Sequence, residues 1–159
     1  MTAEDISIEP AGAADLPAVM KVMQDSFDPR FGEAWTAPQC AGLLPLPGVW
    51  LTVARGAEGT VGFALARLVL DEAELLLLAV RRSAQGRGIG KLLLAHFEKV
   101  AKEGGARRLH LEVRDGNSAR RLYERAGYVL VARRIDYYKG RDGYCYDALT
   151  LAKAGTTPG

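Results

Sequence analysis

The hydrophobic pattern of this chain changes period several times along its length. Apolar residues recur at spacings of three and four over 15–27 and again after residue 89, which predicts two amphipathic helices, the second ending near residue 104. Alternating or continuous apolar runs predict strands at 6–8, 49–55, 61–70, 75–80, 108–113, 129–135 and 144–152, and further helices are predicted at 36–44 and 118–126. The resulting order, β-α-α-β-β-β-α-β-α-β-β, predicts one α/β domain with a mixed sheet.

A turn with three alternate glycines, QGRGIG at residues 85–90, separates the apolar strand at 75–80 from a helix that starts near Lys91. This order presents backbone N–H groups to an anion at a helix N-terminus, and glycine lets a pyrophosphate approach the backbone. The spacing excludes a dinucleotide fingerprint, because Gly90 is one residue early, and a P-loop, because Leu92 stands where Ser or Thr would bind magnesium. The turn therefore predicts a phosphate-bearing cofactor, with an ordinary strand–helix connection as the alternative.

The composition limits the class of protein without indicating a partner. A chain of 159 residues that is 48% hydrophobic and 25% charged has the balance of one globular domain. A net charge of +2 argues neither for nor against nucleic acid, and the separated arginine pairs favour a solvated surface, so no nucleic-acid partner is expected. Two distant cysteines form no zinc motif, so no metal is expected. Without an apolar N-terminal core or a membrane-length apolar stretch, we expect a cytoplasmic protein with no signal peptide and no membrane partner.

The glycine turn, which fits neither the dinucleotide pattern nor the P-loop, has the pattern Gln-x-x-Gly-x-Gly. This pattern resembles the acetyl-CoA signature of the GNAT family of N-acetyltransferases. A second segment at 111–128, LEVRDGNSARRLYERAGY, resembles that family's L-E-V-x-x-x-N…A-x-x-L-Y-x-x-x-G-F/Y signature. Within the family, the chain is most similar to the RimI-type ribosomal-protein alanine N-acetyltransferases, through the stretches at 69–75, 78–80 and 136–143.

The resemblance covers almost the whole chain and implies a single-domain GNAT fold. It implies an acetyltransferase domain at 1–153, and the Gly/Thr/Pro-rich composition of residues 154–159 predicts a flexible tail. It also implies a mixed, mostly antiparallel sheet flanked by helices, which splays apart between the strands at 75–80 and 108–113.

The resemblance further implies acetyl-CoA as a co-substrate and assigns roles to particular residues. Glu112 is expected to be the general base. Tyr123 is expected to contact the cofactor and to protonate the departing CoA thiolate, and Asn117 to bond the pantetheine arm. The other residues expected to hold acetyl-CoA lie at the end of the strand and in the glycine turn: Leu78, Ala79, Val80, Gln85, Gly86, Arg87, Gly88, Ile89, Gly90 and Lys91.

These roles fit the chemistry of acetyl transfer to an amine. The reaction needs a neutral amine, donors for the developing oxyanion and a proton for the thiolate. A protein α-amine has an ordinary pKa about 2.5 units below that of lysine, so its deprotonation at neutral pH costs roughly 3.5 kcal/mol less. A single partly buried carboxylate is then a sufficient base. Strand alternation places Glu112 with His110 on one face of the strand and the leucines at 109 and 111 on the other.

Two positions depart from the family pattern. Asn117 and Tyr123 are six residues apart where the family usually has seven, so the usual place of the asparagine falls on Gly116. Either the loop is tightened by one residue or Asn117 does not make the family contact. Leu77 stands where relatives often place a small polar residue facing the cleft, which predicts a more apolar acceptor pocket.

Simpler structural roles are the alternatives to catalysis. Glu112 in a surface ion pair with Arg114 or Arg133, and Tyr123 as a core residue, would carry no chemistry. Three functions are compatible with the residues. The first is direct acetyl transfer to a protein or peptide N-terminus, such as that of a small-subunit ribosomal protein. The second is transfer to a small-molecule amine, and the third is acyl-CoA binding without turnover. The acceptor and the oligomeric state stay open.

Overall fold

The computed structural model describes residues 5–155. The strands are β1 (Ser7–Ala11), β2 (Val49–Gly56), β3 (Gly59–Val69), β4 (Glu72–Val80), β5 (Arg108–Arg114), β6 (Val129–Lys139) and β7 (Cys145–Ala154), and the helices are α1 (Leu16–Ser26), α2 (Ala37–Leu43), α3 (Ile89–Glu103) and α4 (Arg120–Arg125). None of the helices in this part of the chain is long and apolar enough to cross a bilayer. The predicted tail at 154–159 lies mostly outside the described residues, although Ala154 ends β7 and the N–H of Gly155 donates to the carbonyl of Arg107 at 2.9 Å.

The strands of residues 5–155 form one seven-stranded sheet in the order β1-β2-β3-β4-β5-β7-β6. Every neighbouring pair is antiparallel except β4 and β5, which are parallel. These two strands pair only from Glu72 to Leu75 on β4 and from Arg108 to Leu111 on β5, and they diverge beyond that point. The mixed, mostly antiparallel α/β fold is confirmed, and the sheet splays between the two strands for which the splay is predicted.

A β-bulge at Leu76 reverses the side-chain alternation of β4 just before the strands separate. Leu75 and Leu77 pair with the adjacent residues Ala66 and Leu65 of β3, so Leu76 has no opposite residue. Leu75 consequently packs in the core under α3, whereas Leu77 packs in the core under α1 and is only 7% exposed. The prediction that Leu77 faces the cleft, which came from the family resemblance, is wrong because the bulge turns this side chain into the core under α1.

Helices cover both faces of the sheet, with α3 on one face and α1 and α2 on the other. The ring of Phe97 on α3 stacks on Trp50 of β2, with the centroids 5.9 Å apart. The spacing of three and four after residue 89 predicts a buried stripe of Ile89, Leu92, Leu93, His96, Phe97 and Val100 on α3. The buried residues of the helix are Ile89, Leu93, Leu94, Phe97 and Ala101, while Leu92, His96 and Val100 are half-buried, so the stripe is rotated slightly from the predicted one.

The first strand runs further than its pattern predicts. Its expected end lies before Pro10, but β1 continues through Pro10 to Ala11. The strand lies at the edge of the sheet and pairs only with β2, so a residue without an N–H is tolerated there.

The last two strands, β6 and β7, form a long hairpin in which the pairing of β6 is irregular. β6 pairs with β7 at Arg134 and again at Tyr138, and residues 135–137 bulge between these positions. Within the bulge Asp136 has φ of 54°, and its N–H donates to Oδ1 of Asp147 at 3.0 Å. Arg133 donates to the other oxygen of Asp147 at 2.8 Å. β6 therefore extends beyond its predicted end at residue 135, because Asp147 holds the bulged backbone in place.

Candidate active site

A groove of about 1270 Å³ opens where β4 and β5 separate. Its walls are the end of β4, the glycine turn, the start of α3, the loop between β5 and α4, and the loop between α1 and α2, which is called the α1–α2 loop below (residues 28–35). Ten residues predicted to hold acetyl-CoA line this groove: Leu78, Ala79, Val80, Gln85, Gly86, Gly88, Ile89, Gly90, Lys91 and Asn117. The exposed Arg87 and the buried Tyr123 are not part of the lining. The individual cofactor contacts stay predictions.

The glycine turn has the geometry of an anion site at the start of a helix. Gly86 and Gly88 have φ of 78° and 83°, in the left-handed region that glycine adopts without strain. Gly88 is the N-cap of the 15-residue helix α3 and provides no side-chain cap, so the first-turn N–H groups have no intrahelical partner. A Cβ at Gly90 would lie 3.3 Å from Leu122 of α4, so only glycine fits comfortably between the two helices. The turn therefore fits a pyrophosphate group.

Gln85 closes the turn onto the end of β4. Its side-chain amide donates to the carbonyl oxygen of Val80 at 2.9 Å. The backbone N–H of Arg82 donates to Asp25 of α1 at 2.8 Å, which ties the same segment to the opposite wall. The side chain of Gln85 thus holds the shape of the turn, and its expected role in leading the pyrophosphate in stays a prediction.

Tyr123 is buried on α4 and keeps its phenolic proton. Its side chain is 6% exposed, and its ring meets Tyr128 edge-on with the centroids 6.2 Å apart. Burial, reinforced by the negative charge of Glu33, raises the pKa of Tyr123 well above its ordinary value of 10.0. A tyrosine that stays neutral at physiological pH can donate a proton, as the predicted general acid must.

Glu112 lies on β5 on the face opposite to the buried leucines, as strand alternation predicts. Its carboxylate is 14% exposed and pairs with Nε of Arg134 on β6 at 2.8 Å. The alternative partners considered from the sequence, Arg114 and Arg133, are engaged elsewhere, with Glu33 and with Asp115 and Asp147 respectively. An ion pair of Glu112 therefore exists, but with Arg134, whose side chain is 59% exposed.

Two tyrosines of β6 bring the acidic groups into one neighbourhood. Burial, followed by the charge of Glu112 and a hydrogen bond to it, raises the pKa of Tyr137. Burial, followed by the charges of Glu33 and Glu112, raises the pKa of the more deeply placed Tyr138, and Tyr123 contributes further. Tyr138 therefore lies within electrostatic reach of Glu33 and of both predicted catalytic residues.

Glu33 is a site residue that the sequence reasoning missed. Its Oε1 pairs with Nε of Arg114 at 3.0 Å, and its Oε2 accepts a hydrogen bond from the side-chain amide of Asn117 at 2.7 Å. The side chains of Glu33 and Arg114 are only 9% and 11% exposed. No motif marks the loop at 28–35, and Asp25, Asp28 and Arg30 lie close to Glu33 in the sequence, so its charge alone did not distinguish it.

Further contacts hold the α1–α2 loop against the strands and the core next to it. The guanidinium group of Arg114 lies 3.6 Å from the ring centroid of Phe31, and Phe31 meets Tyr146 of β7 edge-on at 5.1 Å. Gly140, in the turn between β6 and β7, lies against the carbonyl group of Arg30. Trp35, at the end of the loop, packs on the core under α1. The loop is therefore held by contacts to β5, to the β6–β7 hairpin and to the core.

Comparison with known proteins identifies the family of the protein that contains this groove. The model of the Acetyltransferase (GNAT) family matches residues 16–128, which include the glycine turn, β5 and α4. The chain belongs to the GNAT acetyltransferase family.

Two curated relatives carry the same name. The ribosomal protein bS18-alanine N-acetyltransferase of Haemophilus influenzae is 45% identical over 92 residues, or 58% of this chain and 63% of that protein. The protein of the same name from Escherichia coli is 40% identical over 91 residues, or 57% of this chain. The chain thus spans 61–63% of the length of these curated relatives.

A solved structure extends the likeness to the whole chain. The crystal structure of the ribosomal-protein-S18-alanine N-acetyltransferase from Escherichia coli superposes with a TM-score of 0.84 at 29% identity. The superposition covers 97% of this chain and 96% of that one. The predicted resemblance to the RimI-type branch is confirmed.

Proposed function

We propose that this protein transfers the acetyl group of acetyl-CoA to the N-terminal α-amine of a protein, with the N-terminal alanine of a small-subunit ribosomal protein as the acceptor. The observation that carries the proposal is the groove between β4 and β5, whose lining includes both the glycine turn at a helix start and Glu33. Glu33 lies within electrostatic reach of Tyr123 and Tyr138, and Tyr138 within reach of Glu112, although these three residues lie behind the lining of the groove. The names of the relatives support the acceptor class. An enzyme with this acceptor acts in the cytoplasm.

The walls of the groove suit the two ends of acetyl-CoA. The first-turn N–H groups of α3 point at the place where a pyrophosphate would lie, and the positive end of the helix dipole favours its charge. Beyond Leu75, β4 has no β5 neighbour, so backbone groups on that side are free to bond the pantetheine arm and the thioester carbonyl. Such donors stabilise the oxyanion that forms when an amine attacks the thioester.

Three proton movements complete the reaction. Glu112 takes a proton from the incoming ammonium group and later returns it to solvent, and the free amine attacks the thioester carbon. As the carbon–sulfur bond breaks, Tyr123 gives its proton to the sulfur of the departing CoA, and the nitrogen loses its second proton, which restores the phenol of Tyr123 and leaves the neutral amide. Because burial keeps Tyr123 protonated, the acid is in the required state before the reaction begins.

The base strength available favours an α-amine over a lysine side chain. A lysine ammonium must lose a proton held about 2.5 pKa units more tightly, which adds roughly 3.5 kcal/mol to the barrier at neutral pH. A carboxylate is a weak base by nature, so a single one suits the more acidic ammonium group.

The proposal is tested by measuring CoA release from acetyl-CoA with three classes of acceptor. These are a peptide with a free N-terminal alanine, the same peptide with its N-terminus blocked and an internal lysine, and a set of small amines. Turnover with the free N-terminus alone is the expected result. Turnover with small amines alone would overturn the proposed class of acceptor. No CoA release with any acceptor, while acetyl-CoA still binds, would overturn the proposal that the protein is a catalyst.

Variants then test the base. Glu112→Gln is expected to lower kcat by about 10²–10⁴-fold while acetyl-CoA still binds with its original Kd. Glu72→Gln is the matched control, because Glu72 lies on the neighbouring strand and pairs with Arg108 at 3.1 Å, away from the groove. Equal losses in the two variants would remove Glu112 from the mechanism.

A further inference from the structure

The side chain of Asn117 is engaged at both ends by the protein itself. Its Nδ2 donates to Oε2 of Glu33 at 2.7 Å, and its Oδ1 accepts from the N–H of Ala119 at 2.8 Å. The family resemblance implies that this amide bonds the pantetheine arm. The side-chain N–H of Asn117 is thus used in a bond to the α1–α2 loop, on the opposite wall of the groove, and is not available to the pantetheine arm.

The shortened loop before α4 explains the change of partner. Gly116, with φ of 93°, occupies the place where the family pattern puts the asparagine, and the N–H of Asn117 donates to the carbonyl of Arg114 at 2.9 Å. This tight turn directs the side chains of Arg114 and Asn117 towards one carboxylate, that of Glu33. With one residue fewer than the family spacing, the side-chain donor of the asparagine bonds the α1–α2 loop in this chain.

The carboxylate of Glu33 needs both partners. It is 9% exposed, and a buried charge is tolerated only when it is paired and hydrogen-bonded. Arg114 supplies the opposite charge and also packs on Phe31 of the same loop, while Asn117 satisfies the second oxygen. The three residues Glu33, Arg114 and Asn117 therefore form a clamp between the α1–α2 loop and the loop that follows β5.

We propose that Asn117 is a positioning residue for the acceptor and not a cofactor ligand in this chain: with Arg114 it clamps Glu33 and fixes the α1–α2 loop, which forms the wall that an acceptor peptide contacts. The inference rests on the proposed function, in that it assigns the clamp to peptide binding. It predicts that loss of the clamp raises the KM for the peptide and leaves the affinity for acetyl-CoA unchanged, whereas a pantetheine ligand predicts the reverse.

Two substitutions break the clamp and their combination restores it. Asn117→Asp keeps the acceptor for Ala119 but places a carboxylate against Glu33. Glu33→Gln replaces one of the two acceptor oxygens with an NH₂ group, which then faces a donor of Arg114 or of Asn117. In the double variant the new amide at position 33 donates to the new carboxylate at position 117 and still accepts from Arg114, so the hydrogen bond re-forms with reversed polarity.

The expected result is a rise of about tenfold in the peptide KM for each single variant, and recovery in the double variant, as for loss of a hydrogen bond to a charged group. The Kd of acetyl-CoA, measured by calorimetry, stays unchanged in all three. Hydrogen exchange of the backbone amides at 28–35 speeds up in the single variants and slows again in the double variant. A weakened Kd for acetyl-CoA in Asn117→Asp, or no recovery in the double variant, would overturn the proposal.

The exchange and calorimetry readouts separate this inference from the proposed function. If the wild-type protein uses small amines and not peptides, the proposed acceptor fails, and with it the assignment of the clamp to peptide binding. Faster exchange at 28–35 with unchanged acetyl-CoA affinity would then still support the clamp. Unchanged exchange in both single variants would overturn it, whatever the acceptor.

Discussion

Replacing Gly140 with alanine tests whether the β6–β7 hairpin sets the position of the α1–α2 loop. A Cβ at Gly140 would overlap the carbonyl oxygen of Arg30 and lie 2.9 Å from its carbonyl carbon, and it would lie 3.1 Å from Oδ1 of Asp142. The φ of Gly140 is outside the left-handed region, so alanine introduces no backbone strain of its own. The effect of Gly140→Ala must therefore come through displacement of the α1–α2 loop.

The size of the displacement follows from the contact distance. Carbon atoms pack at about 3.5–4.0 Å, so the carbonyl carbon of Arg30 must retreat from its 2.9 Å separation by at least roughly 0.6–1.1 Å, and the overlapping carbonyl oxygen requires more. A misplacement of about 1 Å in a group that positions substrate costs on the order of 10²-fold in rate. We expect Gly140→Ala to lower kcat/KM for the peptide by about 10²-fold, with the Kd of acetyl-CoA unchanged because the glycine turn is held by its own contacts, such as the hydrogen bond from Gln85 to the carbonyl of Val80.

The assay is CoA release under peptide-limiting conditions, together with calorimetry of acetyl-CoA and a thermal melt. Gly143→Ala is the control in the same hairpin: Gly143 has φ of 87°, so alanine strains the backbone, but its Cβ would meet nothing within 4 Å. The control is expected to lower Tm without lowering kcat/KM. If Gly140→Ala loses no more activity than Gly143→Ala, the position of the loop does not depend on this contact.

Three other changes have clear expected outcomes. Leu77→Asn should lower the free energy of unfolding in urea by about 3 kcal/mol, because it places an unpartnered amide in the core under α1; an unchanged midpoint would contradict this burial. Tyr123→Phe should lower kcat by about 10²–10⁴-fold with retained acetyl-CoA binding, and weakened binding instead would make Tyr123 a ligand and not an acid. Burial, assisted by Lys99, lowers the pKa of His96, so the unfolded chain binds the proton more tightly and stability falls as the pH drops below 6.5. The difference in Tm between wild type and His96→Gln should therefore depend on pH, and a constant difference would refute the cause.

The order of elements and the glycine turn could be predicted because both depend on local sequence. The change from a two-residue to a 3.6-residue period marks strands and helices directly, and the spacing of glycines after a buried strand is a local requirement of an anion site. The position of Glu112 on its face of β5 followed from alternation alone, because β5 is regular.

The features that could not be predicted depend on contacts between distant segments. The bulge at Leu76 carries no glycine or proline, so nothing local signals that Leu77 changes face. Glu33 becomes a site residue only because Arg114 and Asn117 meet it from 81 and 84 residues away in the sequence. The pairing of Glu112 with Arg134 depends in the same way on the register of β5, β7 and β6.

The bulge at 135–137 also affects how molecules of this protein meet one another. β6 is an 11-residue strand at the edge of the sheet, and within residues 5–155 its outer side pairs with no other strand. Val129, Val131 and Ile135 on it are at least half exposed, and a long, flat apolar edge is a template for aggregation by strand addition. The bulge interrupts the edge, as does a second register shift at Val131, and Arg133 and Arg134 add charge beside it, so the unpaired backbone is divided into short stretches. Straightening the strand by deleting two of the three residues 135–137, which together oppose Asp147, would therefore lower the concentration at which the protein stays in solution.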